Sequence, residues 1–174
     1  MIGKFKNKYR IASTRLQTWD YGWNGAYFIT ICTQNRECFF GDIIDGKMQL
    51  SETGKIAHKF WIEIPNHFSF VKLGEFVVMP NHVHGIVIID NNLETPNSEN
   101  NGETPNLGVS AKNEKWKPRT LGVIINQYKR ICTINARKIN TEFGWQSRFY
   151  DVIIRNDRAF HAISNYIIQN PSKR

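Results

Sequence analysis

Two histidines one residue apart, His82 and His84, stand at the entrance of an apolar run that extends to Ile89. Side chains alternate between the faces of a strand, so residues two apart project the same way and can offer two imidazoles to one point. Two imidazoles are too few for a catalytic metal, and a further ligand must come from elsewhere in the chain. Near the C-terminus, Tyr166 and Asn170 are four residues apart. On a helix they share a face, beside an apolar stripe of Phe160, Ile163 and Ile167 that would dock the helix on a sheet. Such docking would carry a phenol and an amide oxygen toward the histidine pair. Imidazole, amide oxygen and water suit Mn²⁺ or Mg²⁺ better than a thiolate-seeking metal, with Zn²⁺ still compatible with the ligand types. A phenol, with its ordinary pKa near ~10, is a weak nucleophile at neutral pH, yet a divalent cation that polarises a phosphodiester makes its attack feasible. The product would be a phosphotyrosine and a released hydroxyl. The ordinary alternatives are a structural histidine, a tyrosine packed with its hydroxyl in water, and an asparagine that ends a helix before Pro171.

The elements that must position these groups follow from periodicity. Residues 27–33 are β-branched and aromatic and predict a buried strand, followed by a short stretch at 38–40 and a turn at Asp45-Gly46. Ser51 can cap a helix whose Ile56, Phe60, Trp61 and Ile64 recur at helical spacing until Pro65. Residues 68–79 predict a long strand, Pro80-Asn81 a break, and residues 83–89 a strand apolar on both faces, as in the middle of a sheet. Residues 90–115 hold Glu94-Thr95-Pro96-Asn97 and again Glu103-Thr104-Pro105-Asn106, with almost no apolar residues, and are expected to be a flexible insertion within a single 1–174 domain. An amphipathic helix with a basic flank is expected from Thr120 to about Lys138, a strand over 149–154, and a final helix capped by Asn156 or Asp157. The order β-α-β-β-α-β-α predicts an α+β, ferredoxin-like antiparallel sheet with packed helices.

The net charge of +8 is unevenly spread. Residues 1–36 carry six Lys or Arg against one acidic residue, 37–106 carry four against ten, and 107–174 carry thirteen against four. Basic ends of this kind are the electrostatic footprint of a polyanion binder, with nucleic acid as the leading partner. Cys32, Cys38 and Cys132 are odd in number and form no CxxC pair, which argues against a disulfide framework or a zinc ribbon. The first residues lack the apolar core of a signal peptide, and no apolar run approaches the ~20 residues that span a bilayer, so a cytoplasmic, nucleoid-associated protein without membrane contact is expected.

Met79-Pro80-Asn81-His82-Val83-His84 closely resembles the His-hydrophobe-His motif of the single-tyrosine HUH transposases, in particular the REP-associated tyrosine transposases and their insertion-sequence relatives. The similarity extends to residues 20–21, 26–33 and 40–43, to 121–130 and 145–151, to Ile154-Arg155 and to residues 166–171. The resemblance implies a ferredoxin-like nuclease that recognises DNA hairpins, cleaves single-stranded DNA beside them and rejoins it through a 5′-phosphotyrosine. His82 and His84 would be metal ligands, Tyr166 the nucleophile and Asn170 the third ligand, where many relatives have glutamine. Tyr150 competes for the nucleophile role but lacks a partner four residues on. Relatives commonly continue beyond the Asn-Pro pair, so a weakly anchored last helix is expected here; in some of them that helix crosses to a partner subunit, which would make a homodimer with a composite site.

Single strands are held by basic grooves and stacking rings. Lys115, Trp116, Lys117 and Arg119 have that composition, as do Lys129 and Arg130 beside Tyr128, while Arg148, Arg155 and Arg158 can hold phosphates; the alternative is that these side chains are merely solvated. Lys4, Lys6, Lys8 and Arg10 would form an arm for a hairpin stem. Two rival classes remain: a catalytically silent DNA-hairpin binder, and a metal hydrolase using His82 and His84 with bound water, for which Asp90 is the nearest further ligand in sequence.

Overall fold

Runs of β-branched and aromatic residues favour extended backbone, and here they supply a sheet whose two faces are both covered. A computed structural model describes residues 4–5, 8–9, 18–93 and 119–173. Strands β1 (Lys4–Phe5) and β2 (Lys8–Tyr9) form a short antiparallel pair. Then come β3 (Gly25–Cys32), a hairpin of β4 (Gly41–Ile44) and β5 (Lys47–Leu50), and helices α1 (Glu52–Ile62) and α2 (Ile64–His67). Strands β6 (Val71–Met79) and β7 (His82–Ile89), helix α3 (Leu121–Ala136), strand β8 (Tyr150–Ile154) and helix α4 (Asp157–Gln169) complete the order. The four-stranded sheet runs β6-β7-β3-β8 with every neighbouring pair antiparallel. With α1 between β3 and β6, and α3 between β7 and β8, this is the expected ferredoxin-like α+β arrangement.

Alternation divides the side chains between two cores. Tyr27, Ile29 and Ile31 of β3 and Val83, Val87 and Ile89 of β7 face the large core, where Trp61 of α1 and Leu121, Ile124, Ile125 and Tyr128 of α3 are buried against them. The opposite face carries Ile86 and Ile154, with Phe28 and Val77 beside them, and its cover is α4, which packs Ile167, Phe160 and Ile163 against it. That second cover is why β7 reads as apolar on both faces. Gly85 sits under Trp61, and a β-carbon there would overlap the indole ring.

Local chemistry sets the element ends. The Ser51 hydroxyl accepts from Gly54 N (3.0 Å) at the start of α1, and the Asn156 side chain accepts from Ala159 N (2.9 Å) at the start of α4. The first helix stops at Ile62 rather than at Pro65; the proline instead occupies the first turn of α2, where its missing N–H costs nothing. Residues 38–40 are not a strand. The strand pair lies just beyond them, in the β4–β5 hairpin, whose turn places Asp45 and Gly46 at φ 50° and 70°. The sequence pattern did not reveal it because its strands are only four residues long. Strand β6 contains a register shift between Leu73 and Phe76. The end of α4 is anchored: Ile167 and Asn170 are buried, and the 3₁₀ turn Pro171–Lys173 follows with Ser172 against Gly46. Apart from residues 90–93, the expected insertion lies outside the described residues, as do Lys6 and Arg10 of the basic arm. No described helix is long and apolar enough to cross a membrane.

Replacing Gly85 with alanine should cost about 1–3 kcal/mol, because the methyl group must displace the Trp61 ring from a filled core. A urea unfolding midpoint equal to that of the parent would contradict this packing.

Candidate functional site

The face of β7 that looks toward α4 carries His82 and His84, one alternation apart, followed by the core residue Ile86. Their rings are side by side, with centroids 4.5 Å apart, and both residues are buried. Each ring is steered by a neighbouring oxygen. The Asn81 side-chain oxygen lies 2.7 Å from His82 Nδ1, and the Thr30 hydroxyl lies 2.8 Å from His84 Nδ1. Asn81 precedes the first histidine in the strand entry, and Thr30 is the cross-strand partner of His84 on β3. An imidazole whose Nδ1–H is given to an oxygen presents its lone pair at Nε2, the arrangement that orients metal-bound histidines. These two positioning groups were missed in the sequence; the adjacency of Asn81 and the polar Thr30 within an apolar strand were the available signals.

The turn that feeds β7 is itself fastened. Thr33 donates from its backbone N (3.0 Å) and from its hydroxyl (3.0 Å) to the Asn81 carbonyl, and Phe40 N donates to the Pro80 carbonyl (3.0 Å). Asn81 Nδ2 reaches the Arg36 carbonyl at 3.1 Å. One asparagine therefore ties the first imidazole to the loop after β3.

Helix α4 brings the phenol to this pair. The Tyr166 ring lies 5.5 Å from the His84 ring and 6.2 Å from Phe28, while Phe28 stacks on His84 at 5.3 Å. Tyr166 is 44 % exposed, so the ring borders the imidazoles and remains open to solvent. Asn170 is buried one helical turn further on, at the end of α4. Among the described residues no group of three His, Cys, Asp or Glu side chains could hold a metal ion. Tyr150 is placed differently. It pairs across β8 and β3 with Thr30, which in turn pairs with His84, so it lies two strands away from the imidazoles.

The expected DNA contacts are scattered. Lys115, Trp116 and Lys117 lie outside the described residues. Arg119 stacks over Phe70 (5.2 Å), next to the end of β7 opposite the histidines, and Arg130 lines an apolar hollow with Phe60 and Ile134 beneath the other face of the sheet. Arg155 and Arg158 are exposed at the end of β8 and the start of α4, and Arg158 is two turns before Tyr166. Asp90 is also at the far end of β7, 3.7 Å from Lys72, which removes it as a ligand beside the histidines. Lys129 is half-buried and ties α3 to the loop before β8. Its Nζ donates to the carbonyls of Gln146 (2.7 Å) and Arg148 (3.0 Å), and burial lowers its pKa from the ordinary lysine value.

The fold has a counterpart among solved structures. A solved structure of a REP-associated tyrosine transposase bound to a REP hairpin superposes with a TM-score of 0.59 at 17% identity, over 94% of this chain and 74% of that one. No family model matches the sequence. A Haemophilus influenzae protein, described as an uncharacterized protein, is 39% identical over 160 residues, 91% of this chain and 87% of its own length. The chain belongs to the same family as that protein, and it shares the fold of the REP-associated tyrosine transposase structure.

Lys129→Met should lower thermal stability by about 1–3 kcal/mol by leaving two loop carbonyls without their charged donor. Calorimetric unfolding checks this, and an unchanged midpoint would return Lys129 to the solvated surface.

Proposed function

We propose that this protein is a metal-dependent DNA strand transferase that binds hairpin-bearing single-stranded DNA, cuts it, and rejoins it through a phosphotyrosine at Tyr166. The observation that carries the reading is the approach of the Tyr166 ring to within 5.5 Å of the His84 ring of the same chain. A phenol from α4 and two oriented imidazoles from β7 meet here, and Asn170 is buried one helical turn beyond the phenol. The REP-associated transposase that shares this fold is bound to a REP hairpin, which supports a DNA hairpin as the partner.

In this reading His82 and His84 hold Mg²⁺ or Mn²⁺, with Asn170 as the third protein ligand. When bound, the cation supplies neutralisation of the charge that builds on the scissile phosphate. Asn81 and Thr30 keep the two rings in the productive orientation. The Tyr166 oxygen attacks phosphorus, the bond from phosphorus to the 3′ oxygen breaks, and the DNA remains on the tyrosine through its 5′ phosphate. The phenol proton passes to solvent and the departing oxygen takes one up. Attack by a 3′ hydroxyl on this linkage reverses the step and joins the strand. Since phenol and imidazoles share one chain, a single protomer contains both halves of the chemistry.

Tyr166→Phe should abolish the covalent protein–DNA adduct formed with Mn²⁺ and hairpin-bearing single strands, while DNA affinity stays within about twofold. Adduct that survives denaturing gel electrophoresis in this variant would sink the nucleophile assignment. Thr30→Val should weaken Mn²⁺ binding by about 10–100-fold through loss of the oxygen that orients His84, with folding retained. Titration calorimetry of the DNA-free protein reads this directly, and an unaltered Kd would count against the metal site.

A further inference from the structure

Beside the histidines, on the other side of Thr30, the surface opens into a cleft of about 440 Å³ whose walls include Thr30, Cys32, Arg36, Arg148, Phe149 and Tyr150. Thr30 is its boundary with the metal site, because that residue pairs with His84 on one side and with Tyr150 on the other. Two arginines face this space from separate loops, and neither takes part in an ion pair among the described residues. Both hold positive φ angles, 60° at Arg36 and 68° at Arg148, a region that side-chain-bearing residues occupy only when the surroundings impose it.

The surroundings do impose it. The Arg36 carbonyl is held by Asn81 Nδ2, and two residues earlier Gln34 N donates to the Gly144 carbonyl (2.8 Å). The Arg148 carbonyl is held by Lys129 Nζ, and Gln146 N donates to the Cys32 carbonyl (2.9 Å). The cleft therefore has fixed walls carrying two guanidinium groups, and Tyr150 presents a ring that is 57 % exposed. Guanidinium groups match the geometry of phosphate oxygens, and an exposed aromatic ring stacks on bases without regard to sequence. Its volume falls within the range of sites that hold small ligands, enough for a nucleotide unit.

We propose that this cleft seats the single-stranded nucleotide next to the scissile phosphate, with Arg36 and Arg148 clamping its phosphodiester and Tyr150 stacking on its base. The proposal rests on the strand-transferase reading for its choice of DNA. It gives Arg36 and Tyr150 binding roles, and through Asn81 it joins the strand held at Arg36 to the ring of His82.

The test measures binding in chelator, so that no chemistry intervenes, by fluorescence anisotropy with two probes: a labelled DNA hairpin with a short randomised single-stranded flank, and the same stem without the flank. Arg36→Ala combined with Arg148→Ala should weaken binding of the flanked probe by at least about tenfold and reduce the slope of log affinity against log salt by about 0.7 per arginine. Stem-only binding should be unaffected. Tyr150→Leu should weaken the flanked probe about 5- to 100-fold with the salt slope retained. If the double variant fails to fold, Arg36→Lys with Arg148→Lys keeps the charge and removes the forked geometry; it should lower affinity at constant slope. Flanked-probe affinity and slope equal to the parent in all of these variants would overturn the proposal. A separate incubation of the parent protein with Mn²⁺ scores covalent adduct: loss of flank binding without adduct would keep the cleft and reject the strand-transferase reading, whereas adduct with unaffected flank binding would do the reverse.

Discussion

The site depends on the register of β7. Strand side chains alternate with a period of two, and β7 is paired on both edges, so its facing is fixed by partners on β3 and β6 rather than by its own sequence. A slip of one residue would drive both imidazoles into the large core beside Trp61 and turn Val83 and Val87 toward α4. The apolar residues on both faces do not by themselves forbid that slip. What forbids it is the glycine at position 85, which admits the indole on one face only, and the Thr30 hydroxyl, which meets His84 on the other.

From that register the rest of the site follows in layers. The oxygens of Asn81 and Thr30 aim the rings, Phe28 supports His84 from the side, and α4 closes over them with Tyr166 facing the imidazoles. These contacts come from β3, the turn before β7 and α4, so the constellation exists only once the sheet and the last helix are both in place. The same architecture explains why Lys129 is half-buried although its composition suggested a DNA contact. It lies on the flank of α3 that meets the loop before β8, where its ammonium binds two carbonyls.

Much of this was legible in the chain. Spacing gave the histidine pair a common face, the four-residue interval gave Tyr166 and Asn170 a common helix side, and Ser51 and Asn156 marked helix starts that the structure confirms. The ferredoxin-like order followed from the succession of periodic segments. Less visible were features that depend on non-local pairing. The β4–β5 hairpin is too short to leave a periodic trace, and Pro65 opens a helix as readily as it closes one. Thr30 and Asn81 carry only a weak signal, a polar residue in an apolar strand and a neighbour of the first histidine, since hydroxyl and amide groups acquire a role only when register places a ring within 3 Å. The cleft at Arg36 and Arg148 arises from loops 112 residues apart in sequence, a contact that no local window contains.

The two cores differ greatly in size. Three fully or nearly buried residues, with a ring of half-buried neighbours, fasten α4 to the sheet, whereas the opposite face is locked by a far larger cluster that includes Trp61, Tyr27, Tyr128 and Phe143. Free energies of partial opening follow buried apolar contact, so the terminal helix should be the first segment to lift as the molecule breathes, while the strands stay closed. In the proposed reading the nucleophilic oxygen is thus mounted on the side of the sheet held by the smaller core, with the helix's own end fixed by Ile167 and Asn170.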